Sequence, residues 1–425
     1  MPVIVAALAL VAAAVAVPAL SGWNVHPRHG SHVALAPWHG WWEPHIGPGT
    51  IPALLIAVMA TVWAVGLAAR LSWRWLVLLS YAASLGWLLS LALVDGPSGL
   101  SRVLGNPHEY LQTARHVDAI GPLLASWVDH VPLHSNQHWP THVAGHPPGM
   151  LLFFVGLDRL GLGGDLAAGV AVTAIAASIA PAVLITMRRV GAYEVARRAA
   201  PFLVFTPAAV YLAVSADAVM AAVAAWAMAL LARGTSRRHS IVWAAASGLL
   251  FGVLALMSYG MVLFGVVALG LMAGKRAFRA IIPCGLAAAA VVLIPAHFGF
   301  WWPEGFVAVR SRYWEGIASD RPAAYWMWAN LALLVATAGP VVAAGLTRVR
   351  RLGQPSLGVV LGAVWAVVIA DVSQMSRGEV ERIWLPFIPW LTIATATLPR
   401  RWFRLALASQ LLLALALQHL LYTSW

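Results

Sequence analysis

One long polar segment, residues 95–165, holds the acidic side chains that could carry out catalysis. A carboxylate placed beside a bound hydroxyl group can take its proton and make the oxygen a better nucleophile. Glu109 is the first choice for such a base, and Asp95 is the second. Asp118 in the same segment and Asp217 further along the chain could also serve as the base. These residues predict proton abstraction from an acceptor hydroxyl.

The neighbours of Glu109 indicate how it would be held. In NPHEYLQTARHVDAIG, Glu109, Tyr110 and Asp118 lie at near-helical spacing, which predicts a short helix on a surface. His108 and Tyr110 would then lie beside the base and could contact the substrate. A solvated helix charge paired with Arg102 or Arg115 would account for Glu109 equally well.

A second set of side chains could hold a phosphate leaving group, because cations and hydrogen-bond donors stabilise the charge that develops on it. His146 begins the HPP triplet that precedes the apolar stretch GMLLFF, and Arg382 stands beside Glu381 in GEVERIW. His146 could instead cap a turn or orient the acceptor, and Arg382 could form a structural clamp with neighbouring glutamates. The other candidates for this role are Arg377, Arg310 and Arg312.

Two predicted hairpin tips could add contacts to a sugar. Asp217 follows Ser215, and Tyr259 follows Ser258, each between two apolar stretches. Asp217 could cap the helix that follows it instead of binding a sugar, and Tyr259 could be part of a polar turn. Glu381 is the remaining candidate for contacting the substrate.

The histidines suggest a metal site, but their setting argues against it. In the second loop they recur every four residues, yet Pro132 and Pro140 interrupt any helix that would align them as ligands. No carboxylate motif for a divalent cation is visible. We therefore expect no metal and no cofactor, with a divalent cation as the alternative. The histidines concerned are His130, His134, His138, His142 and His146, and those of the first loop are His26, His29, His32, His39 and His45.

The composition shows which elements must position these residues. Hydrophobic residues make up 61% of the chain, charged residues 10%, and the mean hydropathy is +0.80, which predicts an all-α polytopic membrane protein. We expect about 13 spans, with juxtamembrane helices in the loops. The predicted spans are 3–20, 51–69, 75–94, 166–187, 199–213, 216–232, 241–257, 260–274, 280–297, 326–347, 357–372, 383–399 and 405–422.

The positive charge is distributed as membrane topology requires. The net charge is +12, but arginines gather in short clusters between predicted spans, such as Arg188/Arg189 and Arg400/Arg401. By the positive-inside rule these loops are cytoplasmic, so no nucleic-acid partner is needed to explain the basicity. The long loops 21–50, 95–165 and 298–325 then face the exterior of the plasma membrane, with the predicted site among them.

Four motifs in order resemble the C-type glycosyltransferase superfamily (GT-C). These are HEY followed by HPP, the hairpin FTPAAVYLAVSADAVM, the hairpin GLLFGVLALMSYGMVL and the late element GEVERIWLPFIPWL. The resemblance covers residues 75–400. His108 stands where the family usually has an aspartate, and His146 stands where a lysine is common.

The resemblance implies an enzyme that moves a sugar from a polyprenyl-phosphate donor to a glycan or lipoglycan of the cell envelope, among membrane lipids. Residues 1–74 would be an N-terminal extension, 75–400 the catalytic core, and 401–425 a C-terminal helix. The composition is of actinobacterial type, and the layout is similar to methylthioxylose transferases, with arabinofuranose and mannose as competing sugars. A transporter or lipid-linked sugar flippase, and a non-catalytic assembly protein, are the competing interpretations.

Overall fold

The computed structural model of the protein describes residues 2–28, 34–236 and 240–423. The residues named above that lie outside this description are His29 and His32. The first half of the chain forms α1 (Pro2–Ser21), α2 (Thr50–Arg70), α3 (Trp73–Ala92), α4 (Tyr110–Ala114), α5 (Ile120–Ala125), α6 (Thr141–Ala144), α7 (Gly149–Leu157), α8 (Asp165–Arg189), α9 (Tyr193–Val204) and α10 (Ala209–Leu212).

The second half forms α11 (Ala216–Gly234), α12 (Ser240–Met257), α13 (Phe264–Lys275), α14 (Ile281–His297), α15 (Trp302–Glu315), α16 (Ala323–Ala338), α17 (Pro340–Leu346), α18 (Ser356–Val372), α19 (Val380–Ile383), α20 (Ile388–Thr392) and α21 (Phe403–Leu420). Two short strands, β1 (Gly40–Trp42) and β2 (Leu421–Thr423), pair antiparallel with Trp41 opposite Tyr422.

The described part of the chain has eight helices long and apolar enough to cross a membrane. A ninth results if α16 and α17, which meet at 102°, are one broken span, and two shorter apolar helices cover 259–275 and 356–372. Helix α11 is the central element, with 78% of its apolar window buried, whereas α1 lies at the periphery with 11% buried. The protein is therefore an α-helical, multi-pass membrane protein.

Three of the expected spans are not continuous helices. The segment 326–347 turns by 102° between α16 and α17. The segment 199–213 breaks after Val204, because Thr206 precedes Pro207 and a residue before proline is excluded from the helical conformation. The segment 383–399 contains Pro386 and Pro389 and folds into α20 and a 3-10 turn, both buried. Prolines thus turn two apolar stretches into interior, broken elements.

The described parts of the long loops pack together as one surface, which we call the loop face: residues 22–28, 34–49, 101–164, 298–322 and 373–379. Arg312 donates to the carbonyl oxygens of Val131 and Trp139. Arg321 donates to the carbonyl oxygens of His26 and Pro27. The loop face is therefore held by buried guanidinium groups that satisfy backbone acceptors.

Arg197 and Arg198 perform the same task at the ends of helices. Arg197 donates to Ala68 O and Leu71 O, each at 2.6 Å, where α2 ends. Such contacts satisfy the carbonyl groups that a helix leaves free at its C-terminus.

The proposed division at residues 74 and 400 is crossed by the β1–β2 pair, so the first and last segments share one surface.

Candidate active site

Glu109 is the residue immediately before α4, where the extended backbone (φ −88°, ψ 177°) turns its side chain into the molecule. The residue is 6% exposed. Its Oε1 lies 2.5 Å from His142 Nδ1, and its Oε2 has no hydrogen-bond partner among the residues that the structure describes. One carboxylate oxygen is therefore held, and the other is left for a ligand.

His142, on α6, links Glu109 to Arg382. His142 Nε2 lies 3.3 Å from Arg382 Nη2, and because an arginine only donates, Nε2 accepts and Nδ1–H donates to Glu109. Burial would raise the pKa of Glu109, but the electrostatic attraction and hydrogen bond of His142, together with the charge of Arg382, outweigh it. The pKa of Glu109 is lowered, which keeps the carboxylate ionised at neutral pH.

Arg382 is the centre of a buried charge network. It is 7% exposed, and its Nη1 lies 2.8 Å from Asp217 Oδ2 while its Nη2 lies 3.2 Å from Glu379 Oε2. Burial would lower the pKa of Arg382, but the negative charges of Asp217, Glu379 and Glu109 outweigh this effect and raise the pKa above its usual value. Asp217 does not cap its helix, because Ser215 accepts the hydrogen bond from Ala218 N. The carboxylate of Asp217 is thereby directed to Arg382.

Glu379 brings the first loop into this network. It follows Gly378 and has left-handed backbone geometry (φ 63°), which aims its side chain inward. Its Oε1 lies 3.1 Å from Arg321 Nη2 and 3.6 Å from His39 Nδ1. Burial would raise the pKa of Glu379, but His39, Arg321 and Arg382 hold it well below its usual range. Glu379 is therefore a fixed negative charge between two arginines.

Glu381 has the opposite character although it is two residues away. It has no exposed surface; its Oε1 accepts from His39 N at 3.4 Å, and its Oε2 has no hydrogen-bond partner within the described residues. Burial and the charge of Glu379 raise the pKa of Glu381 to about 7. Glu381 consequently changes its protonation near neutral pH.

The HPP triplet places His146 beside Tyr110. The Tyr110 hydroxyl lies 2.8 Å from His146 Nδ1, which also lies 2.8 Å from His142 O. Burial lowers the pKa of His146, although Asp217 opposes the shift. Pro148 starts α7, and an added Cβ at Gly149 would lie 2.5 Å from Leu256 O, so the chain here is fixed tightly. His146 is therefore a neutral, positioned imidazole.

Other predicted residues lie outside this network. Both oxygens of Asp95 are occupied, by His45 Nε2 at 2.7 Å and by Arg102 Nη2 at 3.2 Å. His108 is exposed and contributes its carbonyl oxygen to His142 N. The Tyr259 ring packs on Trp302, with 5.0 Å between ring centroids.

Two of the three further candidates for phosphate binding, Arg312 and Arg377, hold the loop face together. Arg312 is 9% exposed and donates to two carbonyl oxygens. Arg377 donates to Ala318 O, Arg321 O and the Gln374 side chain, and its guanidinium stacks on Trp314. The guanidinium of Arg310 is exposed.

Four residues of the network were not among the predicted site residues: His142, Glu379, Arg321 and His39. The four-residue histidine series contained His142, and Glu379 stood beside Arg382, so both carried a local signal. His39 stood among the first-loop histidines, but nothing indicated its partners, and Arg321 carried no signal, because the contacts of both join distant parts of the chain. Within the described residues, no group of three or more His, Cys, Asp or Glu side chains has the arrangement of a metal site.

No family model matches the sequence, and no curated protein matches it. Among solved structures, the chain is similar to the crystal structure of ArnT from Cupriavidus metallidurans in the apo state, at 20% identity and a TM-score of 0.42. The match covers 68% of this chain and 54% of that one, so the chain spans about half the length of the structure it matches. A likeness at this level does not assign a family.

Proposed function

We propose that the protein is a GT-C-type glycosyltransferase that moves a sugar from a polyprenyl-phosphate donor to a cell-envelope glycan or lipoglycan. The observation that supports this best is Glu109, a buried carboxylate held through one oxygen by His142, while the other oxygen has no hydrogen-bond partner in the described part of the chain. This is the geometry that a general base needs beside an acceptor hydroxyl. Glu109 is preferred to Asp95, since both oxygens of Asp95 are already paired.

In the proposed reaction, Glu109 Oε2 takes the proton of the acceptor hydroxyl while the oxygen of that hydroxyl bonds to the anomeric carbon of the donor sugar. The bond between that carbon and the phosphate oxygen breaks, and the polyprenyl phosphate leaves with the electron pair. The lowered pKa of Glu109 supplies the ionised carboxylate that the step needs. His142, and Arg382 through His142, hold the Glu109 carboxylate in position, so less free energy is needed to orient the carboxylate during the reaction.

We propose that His146 and Arg382 contact the donor phosphate. Arg382 faces two carboxylates but remains a hydrogen-bond donor, so its guanidinium is the first candidate for the phosphate contact. His146 Nδ1 donates to His142 O, so His146 would contact the phosphate as a protonated imidazole. Arg312 and Arg377 are assigned to holding the loops. Tyr110, Asp217, Glu381, His108 and Tyr259 are proposed to line the positions of the sugar and the acceptor.

The proposed setting is the exterior face of the plasma membrane in an actinobacterial-type cell envelope. Methylthioxylose, arabinofuranose and mannose are the candidate sugars. Arginine in place of lysine and the abundance of Ala, Val, Leu and Gly support the setting, since Lys275 is the only lysine.

The test uses the purified full chain in nanodiscs with labelled polyprenyl-phosphate sugars and lipoglycan acceptors. We expect transfer by the wild-type chain and a loss of about 10²–10⁴-fold in Glu109→Gln, the contribution typical of a general base. Glu304→Gln is the matched control, since Glu304 is exposed at the start of α15. Full activity in Glu109→Gln would refute the assignment of the base, and no transfer from any donor would refute the enzyme.

A transporter or flippase is the second candidate, and the break of 102° between α16 and α17 favours it, because transporters often bind substrates at broken helices. The protein itself satisfies the backbone at this break, however, because Gln410 Nε2 donates to Ala338 O at 2.9 Å. Movement of a labelled lipid-linked sugar across vesicles, equal in the wild type and Glu109→Gln, would support this candidate instead.

A further inference from the structure

An apolar cleft lies between α2, α3 and α9, apart from the network around Glu109. Its volume is about 370 Å³, which is within the usual size of a small-molecule site. Apolar side chains form nearly all of its lining, among them those of Ile56, Trp63, Leu67, Leu71 and Leu79. Such a lining suits a hydrocarbon chain.

The sequence explains why the helices part here. Helix α2 has a π-helical turn over Ala60–Ala64, and small residues, including Ala83 and Gly86 of α3, face the cleft. An added Cβ at Gly86 would meet Ile56 at 3.7 Å, an ordinary contact, so a larger side chain there would grow into the cleft. The cleft results from small side chains on both helices.

One end of the cleft is basic. Leu71 lines it and lies in the connection between α2 and α3, flanked by Arg70 and Arg74. Both arginines are exposed, and neither makes an ion pair or hydrogen bond with any residue that the structure describes. The nearby Trp75 is 64% exposed, as is usual for tryptophan at the level of lipid headgroups. Two cations without a partner among the described residues therefore lie beside Leu71 at this end of the cleft.

We propose that the cleft binds one acyl chain of an anionic phospholipid whose phosphate is held by Arg70 and Arg74. Basic pockets between spanning helices attract anionic headgroups, and the apolar lining accepts the chain. The occupant is not the sugar donor. Arg74 lies at the start of α3, whereas the segment with Glu109 follows its other end, about 30 Å away for a helix of 20 residues.

The experiment measures lipid binding to the purified full chain in neutral detergent by native mass spectrometry. The probes are dioleoyl phosphatidylglycerol and dioleoyl phosphatidylcholine. We expect phosphatidylglycerol to bind as a single molecule and to raise the thermal unfolding midpoint more than phosphatidylcholine does. The double variant Arg70→Gln, Arg74→Gln should weaken phosphatidylglycerol binding about thirtyfold, the effect of two cations near a membrane surface.

Arg404→Gln is the matched control, because Arg404 is exposed in a different basic cluster and should leave binding unchanged. Gly86→Leu tests the cleft itself and should reduce the binding of both lipids. Equal binding of the two lipids, or unchanged phosphatidylglycerol binding in the double variant, would overturn the proposal. Displacement of phosphatidylglycerol by an equal concentration of undecaprenyl phosphate would also overturn it and assign the cleft to the donor chain.

Discussion

The contact between Glu109 and His142 sets the protonation of the proposed base. Without His142, burial of Glu109 is opposed only by the charges of Arg382 and His146, so the pKa of Glu109 is higher than in the wild type. We predict that His142→Ala lowers kcat by about a hundredfold, as expected when a reacting group loses its position. The acid limb of the pH–rate profile should also move to higher pH. His134→Ala is the control, because His134 is exposed on the loop face; an unshifted acid limb in His142→Ala would contradict this role.

Glu381 makes the stability of the protein depend on pH. Its pKa in the folded state is about 7, against a usual value of 4.5, so the folded state binds the proton more tightly. Proton binding by Glu381 therefore contributes roughly 3 kcal/mol to the free energy of unfolding. This contribution is complete below pH 4.5 and is lost as the pH rises through 7. We predict that Glu381→Gln removes this loss.

Thermal unfolding of the two proteins at pH 6 and pH 8 provides the measurement. From pH 6 to pH 8, the thermal unfolding midpoint of the wild type should decrease more than that of Glu381→Gln. Glu304→Gln, which changes an exposed glutamate, should keep the wild-type pH dependence. Parallel changes in the wild type and Glu381→Gln would show that Glu381 does not titrate in this range.

At the scale of single residues, the sequence predicted much of the network. Glu109, Asp217 and Arg382 stood in motifs whose order along the chain already suggested a shared site, and the structure places them in one chain of contacts. The sequence could not predict His39 or Arg321, because their partners lie in loops whose packing depends on tertiary structure. The pairing of Asp95 was not predictable either, since a polar context alone does not show that a carboxylate is already paired.

Arg321 joins three elements of the loop face. It is 3% exposed and donates to His26 O, Pro27 O, Arg377 O and Glu379. We predict that Arg321→Met destabilises the protein by about 3–5 kcal/mol, since it removes a buried cation from the partly buried Glu379 and leaves several carbonyl oxygens without a donor. Limited proteolysis should then cut the first loop faster than in the wild type.

Arg310→Met is the control, because Arg310 is exposed on the same face. A thermal unfolding midpoint and a cleavage rate in Arg321→Met that match those of the control would show that the first loop is held by other contacts.

Elements were predictable where hydrophobicity alone decides them. The eight long apolar helices all coincide with expected spans, because a stretch of about 20 apolar residues has few other structures available in a membrane. The segments 199–213 and 383–399 are not continuous helices, because prolines interrupt them and other parts of the protein surround them. Hydropathy does not distinguish a lipid-facing helix from an apolar segment buried inside a bundle.

At the scale of the whole molecule, the separation of charge predicts an orientation. Glu109 and Glu379 of the proposed site lie on the loop face, and Glu381 contacts it through His39, whereas many arginines lie in or beside short connections such as Arg348–Arg351. The positive-inside rule then predicts that the loop face lies outside the cell. A polyprenyl-phosphate donor and an envelope acceptor would both be reached from that side, so orientation and proposed function depend on each other.

Cysteine labelling in intact cells tests this orientation. In a Cys284→Ala background, Asn136→Cys places a thiol at an exposed position of the loop face, and Gly353→Cys places one beside the Arg348–Arg351 connection, where an added Cβ meets no atom within 4 Å. A membrane-impermeant maleimide should label the first variant in intact cells and the second only after the cells are opened. The reverse pattern would put the proposed site in the cytoplasm, where the sugar donor would have to be presented on the inner leaflet.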